Sequence, residues 1–317
     1  MLIVLPNADD QCEQLLLDRH LSELKQLADF RLYKGNPGSD REYLDRILDA
    51  DALLLWGDIS NQVLMNCSKL KFISFAGTGY KNYVDVDYAA KQGIKVANAP
   101  SYGANAVAEH ALALLVSVAK NIPQNHANMQ KGRWAPLNLN MELDGKTVGL
   151  IGLGTIGTKM SQLCRALGMK VVCWTRTPSH ERAEELGITF VSLDELLSRS
   201  DIISLHLPYT DQTRKFLGAP QFAAMKNGAV FINTARAEIV DSSALQNALS
   251  SGKLAAAGID VFDEEPLSHD DPLIRMNNVV LSPHVGYYTR ESIESILHVS
   301  IRNLVAFARG SPVNLVN

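Results

Sequence analysis

Short apolar runs alternate with amphipathic stretches along almost all of the 317-residue chain. Leu2–Leu5, Ala52–Trp56, Phe72–Phe75 and Lys95–Ala97 are continuous apolar runs, the pattern of strands buried on both faces. Helical spacing lies between them, for example over 11–28 and 41–50. A longer helix is predicted over about 104–120, opening after the turn APSYG. A second series starts at GKTVGLIGLG and continues through 170–174, 202–205, 229–233, 256–261 and 279–281. Apolar strands spaced by helices predict parallel sheets of the α/β class. After the last strand come one more helix, roughly 289–309, and the tail GSPVNLVN. That remnant is too small to be a domain, so it is expected to pack back on the first unit. The predicted organisation is a doubly wound domain over 99–286, inserted into a smaller α/β domain made of 1–98 and 287–317.

Composition narrows the function classes. Hydrophobic residues are 46% and charged residues 20%, ordinary for a globular chain with a sizeable core. A net charge of −4 gives no sign of a polyanion-binding surface, so no nucleic-acid partner is expected. The longest apolar run, Ala111–Ala119, is too short to cross a bilayer. The N-terminal MLIVLPNADD has no positive n-region and does not read as a signal peptide. Cys12, Cys67, Cys164 and Cys173 are scattered, without metal-ligand spacing. They point to a reducing, cytoplasmic setting and to no metal.

The segment TVGLIGLGTIG sets Gly152, Gly154 and Gly157 in GxGxxG spacing. The motif alone is weak. Here an apolar strand precedes it, a helical pattern follows, and the next strand comes after the expected interval. Backbone N–H groups around Gly154, Thr155, Ile156 and Gly157 would then face a pyrophosphate at a helix N-terminus. The second strand of such a unit usually ends in an acid that accepts from the adenosine ribose. Here VVCWTRTPS ends in Thr175 and Arg176. No carboxylate repels a 2′-phosphate, and a guanidinium can pair with one, with Thr177 and Ser179 as further hydroxyls. NADP(H) is therefore the expected cofactor, with NAD(H) still possible.

Three segments follow apolar strands and so lie at carboxyl edges, where ligand crevices of open α/β sheets form. They are INTARAEIVD with Arg236, GIDVFDEEP with Glu265, and LSPHVG with His284. Taken with SFAGTGYKNYVDVD, NAPSYG and the terminal PVNLVN, the chain resembles the D-isomer-specific 2-hydroxyacid dehydrogenases over nearly its whole length. Within them it is similar to the glyoxylate/hydroxypyruvate reductase branch. The resemblance implies two Rossmann-like domains, the smaller flavodoxin-like one binding substrate. It implies Arg236 on the carboxylate and carbonyl oxygen of a 2-keto acid, and His284 as general acid and base. Glu265 would pair with His284 and favour its protonated ring, so reduction would weaken as pH rises through the histidine's pKa. The neighbouring Glu264 is an alternative partner; the position directly before proline selects Glu265. Gly77, Thr78 and Gly79 are implied as a substrate loop. Asp260 would meet the nicotinamide carboxamide. His206, Leu207, Pro208 and Thr213 would line the adenosine side, with Thr234, Ala235, His284 and Gly286 along the cofactor. Ala237 stands where the family usually has glycine. The segment from Ala106 through NIPQNHANMQKGRW resembles an arm for two-fold dimers. The resulting expectation is a cytoplasmic, homodimeric NADP(H)-preferring reductase of glyoxylate or hydroxypyruvate. An NAD-dependent enzyme for another 2-hydroxy acid and a dinucleotide-sensing regulator stay open as alternatives, with formate or phosphite oxidation behind them.

Overall fold

A computed structural model of the chain describes residues 1–16, 18–134 and 139–317. The chain divides into two compact units, one of Met1–Gly103 with Tyr288–Asn317, the other of Ala104–Tyr287. Each is an α/β unit built on an all-parallel sheet.

The first unit holds β1 (Leu2–Ala8), β2 (Asp29–Lys34), β3 (Ala52–Leu55), β4 (Phe72–Phe75) and β5 (Lys95–Ala97) in the order β2-β1-β3-β4-β5. This is the flavodoxin-like order. The helix Arg290–Ala308 belongs to this unit and buries Ile293, Ile296, Leu297, Ile301 and Leu304 in the core formed with Ile3, Leu54 and Phe72. The C-terminal tail follows it home: Val316 N–H donates to Val96 O at 2.9 Å, and Leu315 bridges Ala97.

Two features of this unit differ from the expectation. The stretch 11–28 is not one helix but Asp10–Leu15, Asp18–Leu21 and a turn of 3-10 helix at Leu24–Gln26; Leu17 lies outside the described residues. Leu15 and Leu24 both enter the core that holds Cys12 and Leu21. At about 100° per residue, a straight helix would put them on opposite faces, so the break lets both be buried together. The second feature is β2, which has the sequence DFRLYK and alternating exposure. It is a sheet edge, paired only with β1.

The second unit holds β6 (Thr147–Ile151), β7 (Lys170–Trp174), β8 (Thr189–Phe190), β9 (Ile202–Leu205), β10 (Ala229–Asn233), β11 (Leu254–Ile259) and β12 (Val279–Leu281). Their order is β12-β11-β10-β9-β6-β7-β8. All pairings are parallel. The chain winds one way from β6 to β8 and the other way from β9 to β12. The strand order therefore reverses between β6 and β9, which places a crevice at their carboxyl ends. Apolar layers cover both faces, one from Phe222, Phe231 and Leu245, the other from Leu115, Met160 and Cys164. Among the described residues no helix is long and apolar enough to cross a membrane.

Candidate active site

The glycine loop leaves β6 at the reversal point. Gly152 takes φ +102, and a Cβ there would stand 2.6 Å from the His206 carbonyl oxygen at the end of β9. Only glycine fits that conformation and that approach. A Cβ on Gly157 would in turn collide with the Gly152 carbonyl. The helix Thr155–Ala166 begins at Gly154 with no side-chain cap, so its first N–H groups are not taken by a capping side chain. Gly154 and Thr155 are exposed and Ile156 is half-buried. Arg182, from the following helix, donates to the Leu153 carbonyl at 2.6 Å and braces the loop.

At the end of β7, Thr175 is half-exposed and Arg176 and Thr177 are exposed. Arg176 Nη1 donates to Gln212 Oε1 at 3.2 Å, which carries the guanidinium across to the loop after β9. Ser179 caps the helix His180–Leu186 by accepting from Arg182 N–H. The Thr213 hydroxyl is spent inside its own turn, donating to Pro208 O and accepting from Thr210 N–H, both at 2.8 Å. His206 pairs with Ser204 Oγ at 2.9 Å. Part of the residue's surface is open, yet burial of the ring pushes its pKa down to about 4, so the imidazole is neutral at neutral pH. Leu207 is half-buried beside Gly152, and Pro208 is exposed.

The remaining residues gather at the ends of three neighbouring strands. Asp260 N–H donates to Asn233 O and Ser282 N–H to Ile259 O, so β10, β11 and β12 stay in register past their ends. Asn233 is 2% exposed; its side chain accepts from Ala235 N–H and donates to Arg236 O, which shapes the turn carrying Arg236. Arg236 is half-buried, with Nη1 donating to Ala235 O at 2.7 Å. Ala237 opens a 3-10 turn and is not among the residues with positive φ, so its methyl is accommodated where glycine was expected. Thr234 is buried, and its Oγ1 has no hydrogen-bond partner among the described residues.

Of the acids in DEEP, Glu265 reaches the histidine: its Oε2 lies 2.7 Å from His284 Nδ1. Its Oε1 accepts from Phe262 N–H at 3.0 Å. A carboxylate only accepts, so Nδ1 carries the proton and Nε2 is left for chemistry. His284 has φ +52, a left-handed conformation that costs a non-glycine residue on the order of 1–2 kcal/mol. Tyr287 stands edge-on to its ring at 6.2 Å. Asp260, 2% exposed, accepts at Oδ1 from Ser282 Oγ (2.6 Å) and Val285 N–H (3.0 Å), and at Oδ2 from Gly286 N–H (2.8 Å). Burial would raise its carboxyl. The hydrogen bonds from His110, Ser282 and the two N–H groups outweigh burial and hold it below the ordinary aspartate range. Asn233, His110 and Ser282 were not anticipated from the sequence.

In the first unit, Gly77 follows β4, where a Cβ would press on the Phe75 ring. Thr78 Oγ1 donates to Ala99 O at 2.9 Å and its carbonyl accepts from Asn98, so the loop is held in a defined shape. Among the described residues no group of three or more His, Cys, Asp or Glu could hold a metal ion.

The second unit has the parts of a dinucleotide site: a cradle without side chains at Gly152 and Gly157, an uncapped helix N-terminus, and a buried Thr234 hydroxyl with no partner among the described residues. With an arginine and a carboxylate-paired histidine on the same sheet edge, these define a dinucleotide-dependent oxidoreductase. Residues 112–286 match the D-isomer specific 2-hydroxyacid dehydrogenase, NAD binding domain family. The chain is 40% identical over 285 residues to a glyoxylate reductase of Thermococcus litoralis, covering 86% of each protein. It is 40% identical over 261 residues to a D-3-phosphoglycerate dehydrogenase of Archaeoglobus fulgidus, covering 82% of this chain and spanning about half (49%) of that relative. Among solved structures, an acyclic imino acid reductase in complex with NADPH and D-Arg matches with a TM-score of 0.87 at 31% identity, covering 100% of both chains. The chain belongs to the D-isomer-specific 2-hydroxyacid dehydrogenase family, whose members are NAD(P)-dependent oxidoreductases.

Proposed function

We propose that the protein is an NADP(H)-preferring reductase of a small 2-keto acid, glyoxylate or hydroxypyruvate, in which His284 is the general acid and base. The observation that carries this is the 2.7 Å pair of His284 and Glu265 on the strand ends next to Arg236. The bound nicotinamide would supply the hydride. Gly152, Gly154, Thr155, Ile156 and Gly157 would hold the pyrophosphate, and Thr234, Ala235 and Gly286 would lie along the nicotinamide half. His206, Leu207 and Pro208 would border the adenosine. Arg236 presents a fork of donors suited to a carboxylate and an adjacent carbonyl oxygen. As that oxygen gains charge, His284 donates its proton from Nε2, while Glu265 keeps Nδ1–H fixed and stabilises the ring in its charged form. Gly77, Thr78 and Gly79 are the substrate loop in this reading, and the first unit is the substrate domain.

Cofactor preference rests on Arg176. It is exposed at the end of β7, where an acid would serve NAD(H), and it is oriented by Gln212. The NADPH in the complex of the imino acid reductase neighbour supports the same direction. Ile122, Met129 and Trp134 are 54%, 50% and 88% exposed along 122–134, which supports a homodimer formed through this segment. The proposed setting is cytoplasmic.

The test is kcat/KM for NADPH and for NADH with saturating glyoxylate, then hydroxypyruvate. A preference for NADPH of tenfold or more is the expected result, about 1.4 kcal/mol. Preference for NADH would overturn the phosphate assignment. Turnover confined to phosphorylated or other 2-keto acids would overturn the substrate assignment.

A further inference from the structure

His110 lies in the helix Ala104–Ala119, some 170 residues in sequence from the loop it touches. Its Nε2 is 2.8 Å from Ser282 Oγ and 3.3 Å from Asp260 Oδ1, with the side chain 22% exposed. Asp260 is a carboxylate and accepts only, so the Ser282 hydroxyl must donate to it. That uses the serine's one proton, so Ser282 Oγ can only accept from His110. His110 therefore carries a proton on Nε2, and the chain runs His110 Nε2–H to Ser282 Oγ–H to Asp260 Oδ1.

Asp260 is also what closes the loop around His284. It takes Ser282 before the histidine and the N–H groups of Val285 and Gly286 after it. His284 N–H itself folds back onto Ser282 O at 3.0 Å. The left-handed backbone at His284 is thus pinned from both sides by one carboxylate. The space is tight as well: a Cβ on Gly286 would stand 2.9 Å from Asp260 Oδ2 and 3.4 Å from His110 Cδ2.

We propose that His110 is a positioning residue for the hydride-transfer reaction: through Ser282 and Asp260 it holds the Ser282–Gly286 loop so that His284 meets Glu265. This rests on the reading of His284 as the acid. A 1 Å misplacement of a reacting group is enough to cost about a hundredfold in rate, so a loop held by one carboxylate is a sensitive point.

The test compares His110→Phe, which removes the donor, with His110→Gln, whose amide NH2 can replace it. Hydrogen–deuterium exchange of the segment 282–286, kcat and KM for the 2-keto acid, NADPH affinity and Tm are measured for each. For His110→Phe, exchange of the segment should rise about tenfold or more. Its kcat should fall roughly 10- to 100-fold, with KM and NADPH affinity within about threefold. His110→Gln should restore both exchange and kcat. Should His110→Phe fail to fold, Ser282→Ala removes the middle of the same chain with little change in volume and carries the same readouts. Unchanged exchange and kcat in a folded His110→Phe would overturn the proposal. So would loss of Tm and kcat together without rescue by glutamine. If the wild-type protein reduces no 2-keto acid, the proposed function falls, and exchange alone decides whether His110 holds the loop.

Discussion

Replacing Glu265 with glutamine exchanges one carboxylate oxygen for an NH2 group, and the hydrogen bonds of the pair set how much that should matter. In the native pair, Oε1 accepts from Phe262 N–H and Oε2 accepts from His284 Nδ1–H. Glutamine has one acceptor end and one donor end. If its oxygen stays on Phe262, its NH2 faces Nδ1, which must then accept. The ring is trapped with its single proton on Nε2 and cannot become imidazolium, so general acid catalysis of about 10²- to 10⁴-fold is lost. If the amide flips, the correct tautomer returns, but NH2 now opposes Phe262 N–H. An unsatisfied donor costs roughly 1–3 kcal/mol, or about 5- to 160-fold. The flip is the cheaper route and sets the observed rate. Phe262 is only partly buried, which places the loss near the low end, about tenfold in kcat. His284→Ala has no such escape and should lose about 10²-fold or more. Glu264→Gln, at an exposed neighbour, should stay near wild type. The assay is steady-state NADPH consumption with glyoxylate, paired with an NADPH titration to show that cofactor binding survives. A Glu265→Gln enzyme within threefold of wild type, or one as slow as His284→Ala, would refute the reasoning.

Arg236→Lys should raise KM for the keto acid and lower kcat together. A lost charged hydrogen bond contributes roughly 1.5–3 kcal/mol, so kcat/KM should fall at least tenfold; unchanged kinetics would remove Arg236 from the substrate. Arg176→Ala should lower kcat/KM for NADPH about tenfold and leave NADH within threefold, the low end being chosen because the guanidinium is exposed. For His206, the folded pKa of about 4 lies below the unfolded 6.5, so the unfolded chain binds more protons between those values. Stability should therefore be fully present above pH 6.5 and fall as pH drops towards 4, by about 3 kcal/mol at most. Melting curves of wild type and His206→Asn across that window should converge on the acid side. The four cysteines are buried, with thiols pushed by burial up to about 12 at Cys12, Cys164 and Cys173 and about 11 at Cys67. Native protein should resist alkylation at pH 8 and take four labels only when unfolded.

The sheets were legible because their strands are parallel and buried on both faces, which leaves continuous apolar runs such as AVFIN and ALLL. The two strands not anticipated are edges of their sheets: β2, with alternating exposure, and β8, only two residues long. An edge strand faces the core on one side only and leaves a weaker signal. The broken helix over 11–28 was illegible for a different reason. Its apolar positions fit a helical period locally, and only the position of the core dictates that Leu15 and Leu24 must share a side.

Arg236, Glu265 and His284 could be read because each follows a buried strand within a few residues, so one sequence segment supplies both the position and the chemistry. His110 could not be placed that way, since its partners are on the far side of the whole unit in sequence. It did leave a local trace. Ala106 and Leu114, one helical turn before and after it, are both buried, so His110 interrupts an apolar face of an otherwise apolar helix. A polar group on such a face must be hydrogen-bonded or it destabilises the fold. The partners it finds are Ser282 and Asp260, and Asp260 in turn supplies the acceptors that the loop around His284 requires. The burial of one carboxylate thus needs a cage of donors, and the left-handed turn at His284 needs a fixed acceptor. The same four hydrogen-bonding groups, His110, Ser282 and the N–H groups of Val285 and Gly286, meet both needs, a task that an alanine or leucine at this helix position could not share.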